Sequence, residues 1–463
     1  MFQQIEYINR RAAISRQINS GILLFIGNAE SPMNFLHNTY HFRQDSTFLY
    51  YFGIQEPDLA AVIDAETGQV IVFGDEMSID DIVWMGRQTT LAEKAATSGV
   101  TEVLPKSALK QYLEKAQNQS RDIHFLPPYR GENVIRLADV LEIPVTQVKE
   151  NSSVSFIKAV VAQRAVKSDL ELVEINKAAS ISADMHLMAI QMARPGMKES
   201  EIAAAIHHMA LHHGGNLAYP VILTVNGQIL HNHYHGNTLK EGDLVLNDSG
   251  AETAMGYAGD LTRTFPAGRT FNAAQKEMYN IVLNAYHKAV EALHPGTRYL
   301  DVHFAACLEL AEGLKDRGLM KGDMKAAVEK GAHALFFQCG TGHMMGLDVH
   351  DMEDLGEQYV GYTDTLLKNT TQFGLKSLRL GKELEPGYVL TVEPGIYFIP
   401  ELIDRWQAEK QFSEYINYDK VNEYRAFGGI RVEDNFVITD EGSDLLGKKL
   451  ALSIDEIEAL RNY

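Results

Sequence analysis

The reading of the fold turns on Gly242-Asp-Leu-Val-Leu-Asn-Asp248-Ser-Gly250, followed closely by Gly256-Tyr-Ala-Gly-Asp260-Leu-Thr-Arg-Thr-Phe-Pro266. Leu244–Leu246 is a short apolar run that reads as a buried strand, and Asp248 follows it at its inner end. Working outward, Val221–Val225, Val389–Val392 and Phe436–Thr439 have the same strand-like texture between Gly-rich turns. Helical patterns at 273–294 and 300–317 interrupt them. Upstream, 157–194 has helix-forming composition up to the stop Arg194-Pro195-Gly196, and Glu199–His213 is a further helix closed by Gly214-Gly215. Strands gathered late around inserted helices predict α+β rather than a repeating βαβ unit.

Before residue 155 the texture differs. Gly21-Ile-Leu-Leu-Phe-Ile-Gly27 reads as a buried strand, and Ala60–Asp64 with Val70–Phe73 flank the turn Ala65-Glu-Thr-Gly68 as a hairpin. Helical patterns follow at 91–98 and 107–116, so this part predicts a compact α/β domain. The change places the boundary near 150–165, giving an N-terminal accessory domain over 1–160 and a C-terminal domain over 161–463.

The 463 residues are 45% hydrophobic and 22% charged, which excludes disordered and collagen-like architectures. A formal charge of −19 disfavours phosphate backbones and anionic lipid, so neither nucleic acid nor membrane is expected as a partner. No run approaches the ~18–20 apolar residues that cross a bilayer. The start lacks a cationic segment leading into an apolar run, and two cysteines cannot make a disulfide framework. The expectation is a soluble, cytoplasmic protein.

No phosphate loop and no G-x-S-x-G nucleophile elbow is present, and His208 and His212 lack the intervening Glu of a zincin helix. Chemistry gathers instead in short segments that join Gly or Pro to an acid or a His. Besides the two already quoted, these are Gly340-Thr-Gly-His343-Met-Met-Gly-Leu-Asp-Val-His350-Asp351, Thr391-Val-Glu393-Pro-Gly-Ile-Tyr397 and Gly429-Ile-Arg431-Val-Glu433-Asp434. An acid at the inner end of an apolar strand is costly to bury without a compensating charge. Four carboxylates with one imidazole form a hard, oxygen-rich set that suits two divalent ions, Mn2+ ahead of Zn2+ or Co2+. Paired ions of this kind point to hydrolysis.

In combination and in this order, these segments closely resemble the aminopeptidase P / prolidase group of pita-bread metallopeptidases. Phe42-Arg-Gln-Asp-Ser-Thr-Phe-Leu-Tyr50, Gly53-Ile-Gln-Glu-Pro57 and Trp84-Met-Gly-Arg87 resemble that group's creatinase/prolidase-like N-terminal domain. The resemblance implies a pita-bread catalytic domain that hydrolyses the N-terminal Xaa–Pro bond of dipeptides or longer peptides. It implies Asp248, Asp260, His343, Glu393 and Glu433 as metal ligands, Asp260 and Glu433 bridging, Asp248 on one ion, and His343 and Glu393 on the other. Glu393 then serves as general base, His350 and His231 contact the substrate or the intermediate, and Arg431 orients site carboxylates. Arg379 and Tyr397 are implied substrate-binding residues. The group's assemblies imply a homodimer or homotetramer. Cys339 stands where many relatives carry histidine, and the Asp248–Asp260 interval is one residue longer than in some.

The branch, Xaa–Pro aminopeptidase or Xaa–Pro dipeptidase, rests on how the far end of the substrate is held. Arg379 suits the free carboxylate of a dipeptide's proline, whereas Gly256–Pro266 is as typical of the aminopeptidases. The competing readings are a metal-free creatinase-like enzyme and a non-catalytic pita-bread protein; retention of every ligand argues against both.

Overall fold

A computed structural model describes residues 1–461, and the chain divides into two units: Met1–Arg164 with Met352–Val360, and Ala165–Asp351 with Gly361–Tyr463.

The first unit is built on a mixed five-stranded sheet of β1 (Ile22–Ile26), β2 (Ala60–Asp64), β3 (Val70–Phe73), β4 (Glu102–Leu104) and β5 (Ile123–Phe125), in the order β4-β3-β2-β1-β5. The expected hairpin is present, with Ala60 opposite Phe73 and Ile63 opposite Val70. β1 lies antiparallel to β2 and parallel to β5. One face buries Ile22, Leu24, Val62, Ile71 and Phe73 against Leu109, Leu113, Leu137 and Leu141. These leucines come from the helices Ala108–Asn118 and Gly131–Leu141, whose apolar residues recur at helical spacing.

The second unit opens on a correction. The single helix expected over 157–194 is two, Val154–Ala165 and Asp169–Met192, of which the first belongs to the N-terminal unit. Ser168 breaks the run because its hydroxyl caps the Glu171 N–H while the Glu171 carboxylate returns to the Ser168 N–H. Composition alone favours helix throughout, but a capping box provides a better partner for the exposed N–H groups.

The strands of this unit are β6 (Asn216–Leu217), β7 (Ile222–Thr224), β8 (Leu244–Ser249), β9 (Ala251–Glu252), β10 (Leu261–Pro266), β11 (Val389–Val392), β12 (Gly395–Tyr397), β13 (Gly429–Arg431), β14 (Asp434–Ile438) and β15 (Ser443–Leu445). They form small sheets, β10-β8-β7 and β11-β14-β15, with the pairs β12-β13 and β6-β9. The helices Ala273–Glu291 and Tyr299–Asp316 are inserted between β10 and β11, as an α+β arrangement requires. β8 runs beyond the apolar run: Asn247, Asp248 and Ser249 are buried strand residues as well. Among the described residues no helix is long and apolar enough to cross a membrane.

Candidate metal centre

Three local arrangements converge. Asp248 on the central strand β8 faces Thr262 of β10 on one side and Ile222 of β7 on the other. Asp260 sits immediately before β10 and is held by its N–H to the Asn435 side chain at 3.0 Å. Beyond β13, Glu433 exchanges backbone hydrogen bonds with Thr262, and its carboxylate accepts from the Thr262 hydroxyl at 2.6 Å. A residue of β10 therefore touches the acid that lies 171 positions later in the chain.

The segment around His343 lies alongside β11. Thr391 N–H donates to the His343 carbonyl at 3.0 Å, and Glu393 N–H donates to the Thr341 carbonyl at 2.7 Å. The approach is close enough that a Cβ on Gly342 would lie 2.1 Å from the Thr391 carbonyl oxygen, so only glycine fits there. His343 is thereby aimed so that Nε2 stands 3.4 Å from an Asp260 oxygen and 3.6 Å from a Glu393 oxygen, while Nδ1 engages the Met344 carbonyl at 3.0 Å.

All five expected ligands, Asp248, Asp260, His343, Glu393 and Glu433, line one cavity of about 550 Å3. Donor atoms of Asp260, His343 and Glu433 lie within 4.8 Å of one another. Burial, with nearby Asp260 and Asp248 adding to it, pushes the Glu393 carboxyl up to about 8. Burial likewise raises Asp260, and it holds Glu433 well above the ordinary carboxylate range. Acids confined this way keep their charge only when cations share the site, so the donor set fits a pair of divalent ions.

Arg431 is the cation in direct contact with Asp248. Its Nη2 pairs with Asp248, Nε donates to the Thr262 hydroxyl at 3.1 Å, and Nη1 donates to the Tyr397 hydroxyl at 2.8 Å. Tyr397 is fully buried behind Arg431 and is not among the residues lining the cavity. His231, His350 and Arg379 do line it, as do His233 and Cys339. The His350 ring meets that of His343 edge to face, with centroids 4.3 Å apart. His208 and His212 are exposed near the end of their helix, away from this constellation.

Several contributors went unread in the sequence. The Tyr219 hydroxyl oxygen lies within hydrogen-bond reach of both Asp248 and Asp260, so its one proton is shared between the two acids. Arg263, fully buried, makes paired bonds to Asp434 at 2.9 and 3.1 Å, and Tyr286 adds a bond to Asp434 at 2.7 Å. Lys167 and Asp351 form a buried ion pair at 2.9 Å beside the Gly346 turn. Tyr219 stands alone in Ala218-Tyr-Pro220 and carries no spacing signal, whereas Arg263 and Asp434 each neighbour a motif acid and could have been sought there.

Residues 173–440 match the family model for metallopeptidase family M24, and residues 7–124 match the aminopeptidase P N-terminal domain. The human Xaa-Pro dipeptidase is 30% identical over 459 residues, covering 96% of this chain and 89% of the relative. The Xaa-Pro aminopeptidase of Escherichia coli strain K12 is 31% identical over 475 residues, covering 98% and 97%. Among solved structures, E. coli aminopeptidase P with the inhibitor Pro-Leu superposes with a TM-score of 0.81 at 30% identity, covering 99% of this chain and 98% of that one. Proline aminopeptidase P II from Yersinia pestis does so with the same TM-score and identity, covering 99% of each.

Proposed function

From the premise that the chain belongs to metallopeptidase family M24, we propose that it is an Xaa–Pro exopeptidase working with two divalent ions, Mn2+ by preference. The carrying observation is the single cavity whose lining gathers Asp248, Asp260, His343, Glu393 and Glu433 together with His231, His350 and Arg379. Oxygen donors with a single nitrogen and no thiolate among the ligands favour Mn2+ over Zn2+. The accessory domain expected over 1–160 corresponds to the unit Met1–Arg164 with Met352–Val360, and the catalytic domain expected over 161–463 to the remaining unit.

Asp248, Asp260, His343, Glu393 and Glu433 hold the ions, which when bound supply Lewis-acid activation of water and of the scissile carbonyl. Glu393 is the general base. Its side chain is 18% exposed, against 11% for Asp248, 7% for Asp260 and 4% for His343, so it is the carboxylate most open to an attacking water. His350 donates a hydrogen bond to the carbonyl oxygen as negative charge develops there, and His231, on the same cavity lining, steadies the peptide. Arg431 and Tyr397 position Asp248. Arg379 offers a forked cation to the free carboxylate of a C-terminal proline, which makes dipeptides the better substrates.

A chelator is expected to abolish cleavage of Ala-Pro, and Mn2+ to restore it; cleavage that survives chelation overturns the proposal. Arg379→Ala is expected to slow Ala-Pro far more than Ala-Pro-Gly, and an equal effect on both removes the carboxylate role.

A second copy of the chain completes the particle. The helix Ile79–Met85 has no buried residue, and Ile79, Val83, Trp84 and Met85 are 75%, 73%, 86% and 66% exposed. Apolar exposure on that scale marks an interface. Light scattering should report a dimer or tetramer for the native chain and a smaller species for Trp84→Glu. Both cysteines are free thiols, which suits the reducing cytoplasm.

A further inference from the structure

A second cluster of metal-ligating side chains lies in the C-terminal unit, outside the five-ligand site. His303 and Cys307 stand one turn apart on the helix Tyr299–Asp316, and His333 faces them from the 3-10 turn Ala332–Leu335. Donor atoms of the three lie within 4.8 Å of one another, and all three residues are at most 1% exposed. The Cys307 sulfur is 3.4 Å from His303 Nε2. His303 Nδ1 is occupied at 2.8 Å by the Thr341 hydroxyl, which leaves Nε2 turned toward the thiol. That is the arrangement of a ligating imidazole whose far nitrogen is fixed by an outer partner.

His333 is the independent sign. Both of its ring nitrogens are buried without a hydrogen-bond partner. A buried polar atom left unsatisfied is costly, so such atoms are ordinarily paired. A cation held between His333, His303 and Cys307 removes that cost. Burial also holds both imidazoles neutral near pH 7, His303 at about 3 and His333 at about 4, which keeps their lone pairs available.

Charge selects the ion. Among the described residues, His333 is the titratable group acting on His303 and the Cys339 thiol the one acting on Cys307, and no carboxylate acts on any of the three. The Phe304 and Phe337 rings flank His303 at 5.8 and 5.9 Å. A thiolate with Zn2+ would leave a net positive charge in this apolar pocket, whereas a thiolate with Cu+ is neutral. We propose that His303, Cys307 and His333 bind one Cu+ through two imidazole nitrogens and one thiolate. Binding forms a copper–sulfur bond as the thiol proton leaves to solvent; copper enters and stays as Cu+, and no electron moves.

The test uses the full chain loaded with its divalent ions, supplied with Cu+ under anaerobic reducing conditions and washed with a carboxylate chelator. Elemental analysis should give one copper per chain, and X-ray absorption should show one sulfur and two nitrogens around it. Cys307→Ser, close to isosteric, should lose copper at least ~10-fold, while Cys339→Ser keeps it. Should Cys307→Ser unfold, His333→Leu, which replaces the unpartnered imidazole with an apolar side chain, should stay folded and lose the copper. No retained copper in the parent chain overturns the proposal. So does equal retention in Cys307→Ser or His333→Leu, a shell without sulfur, or Zn2+ held in preference to Cu+.

Discussion

The two units bury charge in opposite ways. In the N-terminal unit buried charges meet local partners, backbone carbonyls for Arg11 and an ion pair for Asp64. Arg11 donates to the Tyr51 and Ser98 carbonyls, and Asp64 accepts from Arg121 at 2.7 and 2.9 Å. In the C-terminal strands Asn247, Asp248, Thr262, Arg263, Thr391, Glu433 and Asn435 are all buried, and Arg431 balances just one of the acids directly. A protein that can pair its charges yet leaves a cluster of acids short of cations has built a place for ions to bind.

The contrast can be broken most sharply at Glu433. Glu433→Gln replaces a charged carboxylate oxygen with a neutral amide nitrogen in a set that functions together, and kcat/KM should fall by more than the ~10²-fold typical of outer-shell changes. A loss under tenfold would show that the acids are not a shared ion site. Next comes the apolar side. Leu24 is 1% exposed within the first unit's core, and Leu24→Ala should lower unfolding free energy by ~2–5 kcal/mol in denaturant titrations. Turnover per folded, ion-loaded molecule should stay the same, since no reacting group is touched.

Tyr219→Phe sharpens the polar side. Losing the hydroxyl that joins Asp248 and Asp260 should weaken metal affinity or activity ~10–100-fold, read as a rise in the Mn2+ concentration needed for half activity. The smallest effect belongs to Asp64, whose carboxyl the Arg121 hydrogen bonds hold at about 2, below its ordinary 3.8. Because the folded group titrates below the unfolded one, its stabilisation is complete above pH ~4 and is lost as pH falls toward 2. Native protein should lose on the order of 2 kcal/mol more than Asp64→Asn across that window. Parallel acid unfolding curves for the two would remove the pairing argument.

Much of the site was legible because its signals are local. Asp248 follows Leu244–Leu246, Glu393 follows Val389–Val392, and His343 sits in a Gly-rich turn, each within a few residues of its marker. The hairpin Ala60–Asp64/Val70–Phe73 was legible for the same reason, its turn residues lying between two apolar runs. The break at Ser168 was not, since Ser and Glu are tolerated in a helix and only the cap geometry distinguishes a start from an interior.

By itself the sequence determined the donor types, their order and the strands that carry them, because apolar periodicity and turn chemistry act over short stretches of chain. Tertiary structure decided what no short stretch contains: that Thr262 meets Glu433, that Tyr219 spans Asp248 and Asp260, that Tyr397 serves Arg431 from behind, and that His333 faces Cys307. These contacts join residues tens to hundreds of positions apart, and their partners are chosen by strand register and close packing after the chain has folded.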